Sequence, residues 1–125
     1  MRTAEDILRP PDDADVARAL ERFAETVEAE YGGEVVGLFL FGSRARGDHA
    51  PFSDADVAVV LDRQTLRLVP EKRRMARIAH DVLVETGVEV QPWPVILAHW
   101  TAPERHPNSG LIRNMLRDAK RVVRP

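Results

Sequence analysis

Two aspartates, Asp54 and Asp56, stand one residue apart at the head of an apolar run, Asp-Ala-Asp-Val-Ala-Val-Val-Leu (54–61). Aspartate is depleted in strands, so its presence twice at a strand start points to chemistry. In a strand, residues i and i+2 project from the same face. Asp54 and Asp56 are therefore expected to project together, with Ala55, Val57, Val59 and Leu61 turned into the packing. Two carboxylates this close repel unless a proton or a cation lies between them. A hard divalent cation such as Mg²⁺ removes that penalty and prefers oxygen ligands.

The residues just before them suit phosphate. Gly42-Ser43 follows the apolar run 34–41 directly. Glycine lets backbone approach a ligand closely, and successive N–H groups in such a turn, or at a helix start, form an anion site. Ser43 adds a hydroxyl, and Arg44 and Arg46 add positive charge. Phosphate donors on one side and metal carboxylates on the other describe a site for a metal-bound nucleoside triphosphate. A further acid, Glu89, lies between Val88 and Val90. If its strand neighbours 54–56, the three carboxylates can hold two metals about 3.5–4 Å apart, for an in-line displacement.

These residues need elements to place them. Asp12 or Asp13 can cap a helix on which Val16, Leu20, Phe23, Val27 and Tyr31 recur at helical spacing, ending at Gly32-Gly33. The run 34–41 reads as a strand buried on both faces, and 54–61 as a second. Pro70 suits the opening of a helix striped by Met75, Ile78, Ala79, Val82 and Leu83 and ended by Gly87. Residues 88–97 begin as a third strand, whose Pro92 and Pro94 make its later part an edge or take it out of the sheet. Residues 101–110 read as a loop. Ile112, Met115, Leu116 and Ala119 mark a last short helix, and Val122-Val123 a small strand or packed tail. The order α-β-β-α-β-α predicts one α/β (α+β) domain over 12–125, with a small sheet, after a loose lead-in over 1–11. Arg113, Arg117, Lys120 and Arg121 read as a solvated face. Trp93 and Trp100 read as core or, if exposed, as an interface.

Composition narrows the function classes. Of 125 residues, 44% are hydrophobic, which fits a packed domain. With 18 basic against 20 acidic residues the net charge is −2, giving no bulk reason to bind nucleic acid or membrane. The absence of cysteine excludes disulfides and thiol catalysis. No apolar run is long enough to span a membrane, and the first residues have no apolar signal core. A cytoplasmic protein is the expectation.

Gly42-Ser43, ten residues, then Asp54-Ala55-Asp56, with Val88-Glu89-Val90 later, resembles the nucleotidyltransferase superfamily shared with DNA polymerase β. Within it the chain is similar to the minimal nucleotidyltransferases that act as antitoxins beside helical HEPN-family toxins. The resemblance implies the nucleotidyltransferase fold, a small mixed sheet flanked by helices. It implies binding of ATP or another NTP and Mg²⁺-dependent transfer of a nucleoside monophosphate, in characterised pairs onto a tyrosine of the HEPN partner. By position, Gly42 and Ser43 would hold the triphosphate, Asp54 and Asp56 would ligate metal, and Glu89 would be the third carboxylate and general base. Asp62 and Glu85 compete with Glu89; Glu85 is expected at a helix end, which counts against it. Two other outcomes stay open: transfer to a small molecule such as an aminoglycoside, and a nucleotide-binding module without catalysis. A domain of this size leaves apolar surface uncovered, so a partner or self-association is expected.

Overall fold

The structure, a computed structural model, describes residues 3, 4 and 9–122. The expected lead-in over 1–11 falls largely outside them, as does Val123. Helix α1 (Asp13–Tyr31) starts as its sequence predicts. The Asp12 carboxylate accepts from the Asp15 N–H at 2.8 Å, and the Asp15 carboxylate accepts from the Asp12 N–H at 3.0 Å. This reciprocal box satisfies two helix-start donors. Val16, Phe23, Val27 and Tyr31 are buried along the predicted stripe.

Strand β1 (Val35–Phe41) follows a single 3₁₀ turn and leads into α2 (Ser43–Arg46), one helical turn. Then come β2 (Ala55–Leu61), α3 (Leu68–Thr86), β3 (Val90–Ile96), α4 (Leu97–Thr101), α5 (Ser109–Asp118) and β4 (Lys120–Arg121). Helix α3 opens two residues before Pro70, which still falls in the first turn, where an N–H would have no intrahelical acceptor. The short helices α2 and α4 are additions to the expected order. The last strand comes earlier than expected, although Val122 extends it by donating to the Leu38 carbonyl at 2.8 Å.

The four strands lie in the order β3-β2-β1-β4. β1 is antiparallel to both β2 and β4, while β2 and β3 are parallel. The sheet is thus mixed, and its most buried strand is β2, not β1 as the apolar run 34–41 suggests. β1 is only partly buried because the strand on its outer side has two residues. α1 and α3 cover one face over Ala55, Val57, Val59 and Leu61; α5 covers the other with Ile112 and Met115 over Ala58 and Val95. Trp93 and Trp100 are half-buried against this second core, Trp100 lying 4.9 Å from Phe39.

The prolines of β3 fit its place at the edge. Val90 pairs with Ala55, whose N–H donates to the Glu89 carbonyl at 2.9 Å. In a parallel ladder alternate residues aim their backbone groups at the neighbour. Gln91, Trp93 and Val95 therefore bond to β2, and Pro92 and Pro94 fall on the outward positions. Neither proline removes a ladder bond. Far from the site, Arg63 pairs with both Glu34 and Glu71, and the Tyr31 hydroxyl donates to Glu71 at 2.7 Å, closing the other end of β2. No helix among the described residues is long and apolar enough to cross a membrane.

Candidate active site

The strand directions decide where the chemistry gathers. Because β1 is antiparallel to β2 with Phe41 opposite Asp56, the turn leaving β1 returns beside the start of β2. Because β3 is parallel to β2 with Val90 opposite Ala55, the entry to β3 lies at the same end. One end of the sheet thus collects Gly42-Ser43, Asp54-Asp56 and Glu89.

Gly42 is required there on two counts. Its φ of 76° and ψ of −157° lie in a region open essentially to glycine alone. A Cβ on it would stand 2.6 Å from Asp56 Oδ2. The turn and the carboxylate are therefore in direct apposition. Ser43 begins α2, a turn whose own bonds start with Ala45 and Arg46, both donating to the Gly42 carbonyl at 3.1 Å, so the Ser43 and Arg44 N–H groups precede them. The turn is closed behind them: Gly47 and Asp48 both donate to the Ser43 carbonyl, at 2.9 and 3.1 Å.

Asp54 and Asp56 are both part-buried. Burial, and next the charge of Asp54, hold the Asp56 carboxyl above its ordinary range, while Arg46 pulls it down. An oxygen-only donor pair with excess negative charge fits a hard divalent cation. The same strain carries a pH dependence. A folded-state pKa above the unfolded value means the native state binds more protons in between, so stability falls as pH rises through that window. The cost is absent below about pH 3.9 and complete above the raised value. In chelator, Asp56→Asn is expected to raise the unfolding midpoint at neutral pH. The gain should shrink as pH falls towards 4. A neutral-pH midpoint at or below the wild-type value would contradict it.

Arg44 has a structural role of its own. It is buried, and it donates from Nε to the Ser53 carbonyl at 2.8 Å and from Nη2 to the Pro51 carbonyl at 3.2 Å. It fastens the loop 47–53 that delivers Asp54. Arg44→Met leaves both carbonyls short of a donor and is expected to cost about 1–3 kcal/mol, measurable by urea unfolding; an unchanged midpoint would remove the fastening role. Arg46 is more exposed and donates to Asp48 at 3.0 Å and to Asp118 at 2.7 Å.

Glu89 is exposed, and lines a cleft of about 190 Å³ with Ala79, His80 and Gln91. It stands one residue before β3, with its carbonyl accepting from the Ala55 N–H and its side chain in a cleft shared with α3. Among the described residues, however, no three His, Cys, Asp or Glu side chains are grouped to hold a metal. Its competitors lie elsewhere: Asp62 follows the far end of β2, and Glu85 pairs with Arg22 at 2.9 Å. Two nearby residues escaped the sequence reading. His49, in the fastened loop, has the one buried side-chain atom, Nδ1, with no hydrogen-bond partner among the described residues. Asp118 meets Arg46 from 72 positions away, a pairing with no local signal.

Residues 20–120 match the family model of the nucleotidyltransferase domain. Two proteins of Methanocaldococcus jannaschii, both named "putative protein adenylyltransferase", are similar. One (MJ1305) is 25% identical over 73 residues, 58% of this chain and 50% of its own; the other (MJ0604) is 38% identical over 45 residues, 36% and 45%. The chain thus spans about half the length of the curated relatives it matches. Among solved structures, one described as a toxin-antitoxin with AMP-PNP has a TM-score of 0.55 at 14% identity, covering 84% of this chain and 73% of that one. A "putative nucleotidyltransferase" from Sulfolobus solfataricus has a TM-score of 0.54 at 19% identity, covering 71% and 79%. These likenesses show the fold. With a family model that runs from α1 to β4 and takes in every residue gathered at the carboxylate end of the sheet, the chain belongs to the nucleotidyltransferase domain family.

Proposed function

We propose that this chain moves a nucleoside monophosphate, foremost AMP from ATP, onto a hydroxyl of a partner protein of the HEPN toxin class, with Mg²⁺ at Asp54 and Asp56. The observation that carries it is the apposition of Gly42 and Asp56, a glycine turn suited to phosphate against a carboxylate suited to metal. The names of the relatives and the toxin-antitoxin description of one structural neighbour support the protein acceptor.

Bound Mg²⁺ would supply charge neutralisation on the triphosphate and the departing pyrophosphate. The chain's own residues do the positioning. The Ser43 hydroxyl and the N–H groups of Ser43 and Arg44 orient phosphate oxygens, and Arg46 adds charge beside them. The acceptor oxygen bonds to the α-phosphorus as the bond to the bridging oxygen of pyrophosphate breaks. The acceptor's proton passes to the Glu89 carboxylate. Catalysis here is mainly positioning and charge stabilisation.

The test is intact-mass measurement of the chain and its neighbouring-frame partner after incubation with each NTP and Mg²⁺. The expected result is a gain of one or more nucleoside monophosphates on the partner. A second reading, a nucleotide-binding module without transfer, draws on Glu89 being exposed and outside any three-acid group among the described residues. A stable complex that binds nucleotide yet gains no mass would favour it over transfer.

A further inference from the structure

Arg46 is oriented from outside its own motif. Asp48, which takes its Nε–H, is an exposed neighbour two residues along the loop. Asp118, which takes a proton of Nη1, is the last residue of α5, and its side chain is 6% exposed. A carboxylate at a helix C-terminus meets the negative end of the helix dipole, so Asp118 is poorly placed for α5 itself. Arg117 donates to its other oxygen at 3.2 Å, leaving Oδ2 to Arg46.

Helix α5 is in turn fixed to the sheet by Ile112 and Met115 over Ala58, two residues beyond Asp56 on the same strand. Asp118 therefore ties Arg46 to a helix packed on the strand that carries Asp56. Of the five N–H donors of a guanidinium, two are engaged among the described residues, and the others remain for a ligand.

We propose that Asp118 is a positioning residue for the nucleotide: it holds the Arg46 guanidinium against the end of α5 and leaves its remaining N–H groups for the triphosphate. This rests on the nucleotide site proposed above. The test is a double-mutant cycle on the full chain, read by calorimetric titration with ATP and Mg²⁺ and by the KM for ATP with the partner as acceptor. Asp118→Asn is expected to weaken ATP binding and raise KM by about 5- to 20-fold, with kcat changed less than about twofold. Asp118→Glu, which keeps the charge, is expected to recover most of that loss. In an Arg46→Ala background, Asp118→Asn should add nothing further. Wild-type binding with Asp118→Asn lowering only the unfolding midpoint overturns the positioning role alone. So does an Asp118→Asn effect that persists without Arg46. A wild-type chain that binds no ATP overturns the nucleotide site and this role together.

Discussion

Asp54→Asn and Asp56→Asn, made singly, are expected to lower nucleotidyl transfer at least about 100-fold, since even groups that merely support a metal ligand are worth 10–100-fold. Asparagine keeps the size of the side chain and one acceptor oxygen but removes the charge that a hard cation requires. The fold should survive in both. Ala55 and Val57 anchor the strand from the opposite face and stay buried, and Asp56 itself is held at an electrostatic cost in the metal-free chain. Loss of activity with an intact or raised unfolding midpoint separates a chemical role from a structural one. Full transfer in both variants would remove the metal assignment.

Gly42→Ala should damage both stability and activity. The added methyl must adopt a backbone conformation that costs about 1–3 kcal/mol for a side-chain-bearing residue. It would also arrive 2.6 Å from Asp56 Oδ2, well inside contact distance. Either the turn or the carboxylate must move, and a misplacement of about 1 Å at a reacting centre can cost 100-fold. Circular dichroism melts and the mass-based transfer assay would read the two effects separately. A variant with wild-type activity would show that the close approach of turn and carboxylate is incidental.

The scaffold was legible where local rules act alone. The α1 stripe, its Asp12 start, the two strands around the Gly-Ser turn and the outward prolines follow from spacing and turn chemistry. So does the gathering of Gly42, Asp54 and Asp56, because an antiparallel pair must bring its two inner ends together. What the sequence did not disclose depends on long-range contact. Arg44 and Arg46 look alike in the motif, yet one is buried under its own loop and the other reaches a helix 72 positions on. Burial, which separates them, is a property of the packed chain. Leu97 reads as the end of the strand over 88–97 because it extends an apolar run, and Thr101 as the start of a loop; the helix that joins them brings Trp100 against Phe39 from β1.

Exposed sheet margins recruit further strands, which is how many folded proteins aggregate or exchange segments. At Pro92 and Pro94 the outer margin of β3 has no hydrogen to offer an incoming backbone. A visiting strand would find carbonyls without matching donors, and would lose alternate bonds of its ladder. The other margin has only the two residues of β4. Along β3, pairing with a strand of another chain is thereby disfavoured.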